Sequence, residues 1–121
     1  MQEYRGGCHC GAVRFKINLK EEKAIECNCS ICSKKGFINV IVTEENFHLD
    51  KGEEQLGTYT FNTHTAKHRF CTQCGVHVFT RPRSHPDGYD VNGRCLDDGM
   101  EGFDIQPFDG QNWEESVASI Q

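Results

Sequence analysis

Seven of the eight cysteines fall in chelating clusters: Cys8-x-Cys10, Cys27-x-Cys29-x-x-Cys32, and Cys71-x-x-Cys74 followed by Gly75. Cys95 stands alone. Two thiolates a few residues apart can close on one tetrahedral zinc ion at about 2.3 Å, and a glycine after the second lets the backbone turn tightly beneath the metal. Structural zinc takes four ligands, which Cys8, Cys10, Cys71 and Cys74 supply as two matched pairs. That leaves Cys27, Cys29 and Cys32 as three thiolates from one short loop, and catalytic zinc typically has three protein ligands with a fourth position for water or substrate. Cys95 either completes and closes this second site or is a small buried thiol within the strand pattern Val91 to Leu96. A different arrangement uses all seven clustered thiols in two closed sites, with Cys95 or a histidine as eighth ligand, and gives a stapled scaffold without catalysis.

The histidines add little to this ligand set. His64 and His68 are four apart, which on a helix would aim both at one metal, but Thr58 to Phe70 reads as strand. Strand spacing separates them by about 13 Å, so both are expected as surface or strand-face residues. His9, between two ligands, is expected to point away from their metal, and His48, His77 and His85 give no signal. Lys34 and Lys35 follow the triplet, and Lys67 and Arg69 precede the later cluster. They serve as solvated charge, or offset the thiolates and hold the carboxylates of an anionic thiol substrate.

Strands must position these groups. Val13, Phe15 and Ile17 alternate with Arg14, Lys16 and Asn18, which predicts a strand over Ala12 to Asn18 with one face in a core. Phe37 to Thr43, Thr58 to Asn62 and Val76 to Arg81 are rich in apolar, Thr and aromatic residues and read as further strands. Lys51-Gly52, Gly57 and Pro86-Asp87-Gly88 supply turns between them. At the C-terminus Trp113, Val117 and Ile120 fall at i, i+4 and i+7, with Asn112 as cap and Glu115 three residues later. This predicts a helix that packs as a lid.

A chain of 121 residues fits one zinc-binding domain, residues 1–121, small enough to gain from metal cross-links. With 36% hydrophobic residues, no apolar run long enough to span a bilayer and no signal-peptide pattern after Met1, it is expected in the cytoplasm. A reducing compartment disfavours four disulfides, and the spacings favour metal. The formal net charge of -5, with no basic stripe, weighs against a sequence-blind grip on nucleic acid.

The blocks Gly6-Gly7-Cys8-His9-Cys10-Gly11-Ala12-Val13-Arg14-Phe15, Cys27-Asn28-Cys29-Ser30-Ile31-Cys32, Phe70-Cys71-Thr72-Gln73-Cys74-Gly75 and Cys95-Leu96-Asp97-Asp98 occur in that order. Together they resemble the glutathione-dependent formaldehyde-activating enzyme family over almost the whole chain. Ile31-Cys32-Ser33-Lys34-Lys35, Thr58-Tyr59-Thr60-Phe61-Asn62-Thr63-His64, Pro82-Arg83-Ser84 and Asp109-Gly110-Gln111-Asn112-Trp113-Glu114 resemble its centromere protein V branch most closely.

The resemblance implies a mainly β fold of several coiled antiparallel sheets, Mss4-like, with structural zinc on Cys8, Cys10, Cys71 and Cys74 and a catalytic zinc on Cys27, Cys29 and Cys32. It implies a carbon–sulfur lyase or synthase that joins a glutathione-type thiol to formaldehyde or another small aldehyde, or splits the adduct. The expected cofactors are two Zn2+ ions, the expected partner a small thiol such as glutathione, and the expected state a monomer or weak homo-oligomer. The centromere protein V likeness also admits a non-catalytic, zinc-stapled binding module. Two departures from the family pattern stand out: Cys95 replaces a small residue, and Phe103-Asp104-Ile105 stands where a His-Ile pair is usual.

Overall fold

In a computed structural model, which describes residues 1–117 and 120, ten strands form two sheets. Strands β1 (Gln2–Gly7), β2 (Arg14–Leu19) and β5 (Phe47–Lys51) make a three-stranded antiparallel sheet in the order β1-β2-β5. The other seven are β3 (Lys23–Cys27), β4 (Asn39–Thr43), β6 (Leu56–Tyr59), β7 (Lys67–Cys71), β8 (His77–Arg81), β9 (Gly88–Asn92) and β10 (Asp104–Phe108), in the order β10-β3-β4-β9-β8-β7-β6. The expected mainly β architecture holds, with one exception to its antiparallel character: β10 runs parallel to β3 at the edge of the larger sheet. An edge position is where Pro107 can sit in a strand without breaking a ladder.

The alternation in the sequence packs the two sheets together. Phe15, Ile17 and Leu19 of β2 are buried, while their neighbours on the strand are less so. The Phe47 ring lies 4.8 Å from that of Phe79 on β8 and stacks 6.0 Å from that of Phe15. Val40, Val91 and Phe79 share the core-facing side of β4, β9 and β8 through the pairings Val40↔Val91 and Phe79↔Val91. Most of β8 is buried, as in a strand covered on both faces.

The opposite face of those strands differs in chemistry. Register places Ile41, Asp90, Thr80, His68 and Tyr59 in one row across β4, β9, β8, β7 and β6. Directly opposed residues project to the same side of a sheet, so this is a row of neighbours. Asp90, Thr80 and His68 are all buried in it. Polar groups at such positions cost stability unless something satisfies them.

The structure corrects several local expectations. Thr58 to Phe70 is a hairpin, β6 and β7 joined by a loop in which Asn62 and His64 take positive φ, 54° and 56°. His64 Nδ1 and Thr60 Oγ1 share a hydrogen bond of 2.7 Å, whereas His68 is a strand-face residue of β7 whose face is buried. The strand expected over Val91 to Leu96 starts earlier and stops at Asn92, so Cys95 ends a short 3-10 turn, Gly93–Cys95. The expected short C-terminal helix is present as α2, a single turn, Trp113–Ser116. Asn112 stands at its N-cap position, but its side chain makes no capping bond; its Nδ2 donates to Asp109 Oδ2 at 2.7 Å. Of the expected Trp113, Val117 and Ile120 stripe, only Trp113 lies within the helix. No described helix is long and apolar enough to cross a membrane.

Candidate metal centres and the cavity beside them

The ends of β1 and β7, far apart in sequence, bring Cys8, Cys10, Cys71 and Cys74 together. Cys8 Sγ lies 3.6 Å from Cys10 Sγ, and Cys10 Sγ 3.7 Å from Cys71 Sγ. A tetrahedron with metal–sulfur bonds of about 2.3 Å has edges of about 3.8 Å, so the spacing is that of a metal's ligand shell. It is far longer than the roughly 2.05 Å of a disulfide, and all eight cysteines are free. Both turns have the same build. Gly11 and Gly75 take positive φ, 83° and 79°, and their N–H groups donate back to Cys8 O and Cys71 O. Val13 N–H further donates to Cys8 Sγ at 3.3 Å.

The second group is built on the passage from β3 into a helix α1 (Ser30–Lys35) that the sequence reading did not foresee. Cys27 ends β3, Cys29 caps α1 by accepting from Cys32 N–H, and Cys32 sits in the first turn. Gly36 closes the helix at φ 67°. The three sulfurs lie within 4.8 Å of one another, and among the described residues no other His, Cys, Asp or Glu joins them. Hydrogen bonds from the Cys27 and Cys32 thiols pull Cys29 down to about 2, while the same contacts push Cys32 far up. Three thiols this close favour a first negative charge and oppose a second, a balance that a dication would shift toward ionisation.

The parallel β10 holds this loop from outside. Its last pair, Phe108↔Cys27, delivers the chain to Asp109 and Gly110 beside the triplet. Asn28, between two of the cysteines, points away from them: its Nδ2 donates to Asp109 Oδ1 at 3.1 Å and its Oδ1 accepts from Gln111 N–H at 3.0 Å. Gly110 must be glycine, because a Cβ there would come within 2.9 Å of Cys29 Cβ and closer still to Cys27 Sγ.

Cys27, Cys29 and Cys32 line a cavity of about 480 Å³, whose far wall is the polar row of β9, β8 and β7. Trp113 and Ile120 also line it, and Arg83 lies 3.5 Å over the Trp113 ring. The C-terminal segment thus borders the cavity although its helix is short. Cys95 stands outside both sulfur groups. Its Sγ–H donates toward His77 O at 3.7 Å, and burial, then the Cys8 and Cys74 charges, push its thiol up to about 12.

A family model described as glutathione-dependent formaldehyde-activating enzyme matches residues 3–114. The chain belongs to that family. An uncharacterized lyase of Schizosaccharomyces pombe is 28% identical over 111 residues, covering 88% of this chain and 78% of that protein. A solved structure of a Rhodobacter sphaeroides protein superposes with a TM-score of 0.76 at 34% identity, over 85% of this chain and 98% of that one.

Within this family fold, the histidines of the far wall are the residues that sequence reasoning missed. His77 Nε2 lies 3.1 Å from Phe79 O, which can only accept, so Nε2 carries the proton and Nδ1 accepts from Lys35 Nζ at 3.2 Å. His77 Nε2–H also reaches Thr80 Oγ1 at 2.8 Å, which leaves the Thr80 hydroxyl to donate to His68 Nδ1 at 3.2 Å. Neutral His68 must then carry its proton on Nε2. Burial first, and then the Lys35 charge, lower His68 to about 4 and His77 to about 3, so both are neutral near pH 7.

The available sequence signal was a polar residue inside each apolar strand pattern, Asp90 before Val91 and His77 before Val78. No motif marked them.

Proposed function

We propose that the protein is a zinc-dependent carbon–sulfur lyase or synthase acting on a glutathione-type thiol and a small aldehyde. Family membership and the lyase-named relative support a glutathione-related lyase. The observation that carries the finer reading is the three-sulfur group set in the wall of a cavity large enough for a small ligand.

Zinc held by Cys27, Cys29 and Cys32 would supply a fourth coordination position at which a substrate thiol stays ionised at neutral pH, the nucleophilic form. The chain's own residues do the rest. The Cys29 N-cap and the Asn28 bonds to Asp109 and Gln111 fix the geometry of the loop. Phe37, Phe61 and Trp113 keep the cavity partly apolar and reduce the water available to compete with the aldehyde. Lys35 and Arg83 on its lining, with Lys34 on the adjacent helix surface, offer cations to the carboxylates of a glutathione-type thiol. Cys8, Cys10, Cys71 and Cys74 hold the structural zinc, and residues 1–121 act as one zinc-binding domain in the cytoplasm.

The Cys29→Ala protein tests this. It should remain folded, lose one of two zinc ions and lose turnover of a glutathione–formaldehyde adduct. A folded variant with one zinc and full activity would remove the catalytic assignment and leave a stapled binding module, of the centromere protein V kind, as the better account.

A further inference from the structure

Among the described residues, two buried polar atoms of side chains that line the cavity have no hydrogen-bond partner: Asp90 Oδ1 and His68 Nε2. The residues are 8% and 7% exposed, and both line the cavity that contains the cysteine triplet. They flank Thr80 in the cross-strand row, so their backbones stand two strand spacings apart, about 10 Å. The Lys35–His77–Thr80 chain fixes the tautomer of His68 and leaves its Nε2–H as a donor without an acceptor. Asp90 Oδ1 is an oxygen awaiting a partner. Burial, and then the Cys29 charge, hold its carboxyl well above the usual carboxylate range. Leaving such groups unmade costs free energy, so two of them on residues that line one cavity point to a ligand that reaches them there.

What the two atoms lack is complementary, a donor for one and an acceptor for the other. A hydroxyl accepts from an N–H through its lone pairs and shares its own proton with a carboxyl. We propose that Asp90 and His68 form the subsite for the oxygen of the aldehyde-derived carbon, with Asp90 as the proton donor and acceptor of the reaction. The inference rests on the carbon–sulfur lyase reading.

In the addition direction the thiolate electron pair forms the C–S bond, and the carbonyl π pair moves onto oxygen. That oxygen takes the proton of the Asp90 carboxyl while accepting from His68 Nε2–H. The proton released when the incoming thiol ionises restores Asp90, so thiol plus aldehyde gives the hydroxy-thioether with nothing left over. Cleavage is the reverse: the Asp90 carboxylate takes the hydroxyl proton, C=O forms, and the C–S pair leaves as thiolate.

Calorimetry with two stable thioethers, S-(2-hydroxyethyl)glutathione and S-ethylglutathione, reads the subsite without turnover. The zinc-loaded wild type should prefer the hydroxyl-bearing ligand by roughly tenfold or more. Asp90→Leu and His68→Phe should each erase the preference and leave S-ethylglutathione affinity unchanged. Asp90→Asn, which keeps the shape, should lower kcat for adduct cleavage by about a hundredfold or more. Asp90→Leu removes an unpartnered polar atom, so its Tm should not fall below that of the wild type.

A preference that survives in the folded variants, or none in a wild type that binds both ligands, overturns the subsite while the lyase reading stands. A wild type that binds neither thioether and cleaves no adduct overturns the lyase reading and the subsite with it.

Discussion

Replacing Gly110 with alanine tests the triplet by a route that touches no ligand. The new Cβ would lie 2.9 Å from Cys29 Cβ, closer still to Cys27 Sγ, and 3.3 Å from the Cys29 nitrogen. Carbon atoms settle at about 3.5–4.0 Å, so Cys29 must retreat by at least about 0.6 Å. Metal–ligand distances tolerate only about 0.2 Å, so the displacement is some threefold too large for the site to absorb. The backbone at Gly110 is not in the left-handed region, so the effect is steric and the overpacking should cost about 1–3 kcal/mol. The Asn28 bonds to Asp109 and Gln111 N–H tie the 109–112 turn to the triplet loop, so the strain falls on the cysteines while the sheets stay intact. We expect Gly110→Ala protein to fold, to carry one zinc per chain by elemental analysis instead of two, and to lose adduct cleavage. A variant with two tightly held zinc ions and wild-type activity would refute the packing of Gly110 on the triplet and the dependence of activity on its geometry.

Cys71→Ser should behave differently from Cys29→Ala. Cys71 is fully buried and joins β7 to the end of β1, so its loss should lower Tm by well over 10 °C or leave the chain unfolded by circular dichroism. A cooperative melt at the wild-type temperature would deny the four-cysteine group its stapling role. Acid should also unfold the protein through the far wall. His68 and His77 have folded values of about 4 and about 3 against 6.5 when unfolded. The unfolded chain therefore binds more protons, and the stability these groups contribute is present above pH 6.5 and lost as pH falls toward 4. Each contributes a slope of up to about 1.4 kcal/mol per pH unit in that window. Asp90 has the opposite sign: its raised value makes the folded state bind the extra proton, so stability falls as pH rises above 3.8. Urea unfolding between pH 4 and 6.5 should thus give a shallower slope in His68→Phe than in the wild type. Equal slopes would show that His68 does not titrate on unfolding.

The sulfur groups were legible because chelation is a short-range matter of spacing and ligand number. Cys71-x-x-Cys74-Gly75 and Cys8-x-Cys10-Gly11 both carry the glycine that the observed positive φ requires. The core strand around Phe15 and Ile17 was equally plain from its alternation. Helix α1 was hidden because six residues carry no amphipathic period, and only Gly36 after Lys34 and Lys35 marked its end. His77 and Asp90 were hidden for another reason. Their place in the cavity with the triplet follows from strand order and register, the Phe70↔His77 and Thr80↔Asp90 pairs, and long-range pairing leaves no local pattern. Cys95 was misplaced because the Val91 to Leu96 pattern ran past the true end of β9, where Asn92 accepts from Arg94 N–H and turns the chain.

The two metal groups also explain how so small a fold can carry a polar wall. One side of the β4-β9-β8 surface joins the core through Val40, Val91 and Phe79, and the other exposes buried Asp90, Thr80 and His68 to the cavity. An apolar row there would stabilise the sheet, and each unsatisfied polar atom forgoes about 1–3 kcal/mol. A chain of 121 residues has little reserve from its core alone. Cys71, three residues beyond His68 on β7, brings that strand to the end of β1 in the four-cysteine group, so a metal held there would make its binding free energy available as folding energy at the strand that bears the cost. On the proposed function the two cysteine groups would be coupled: a metal at the first would offset the cost of the polar groups beside the second. Substituting His68 and Asp90 by apolar residues should then restore a measurable part of the stability lost when the four-cysteine group is weakened.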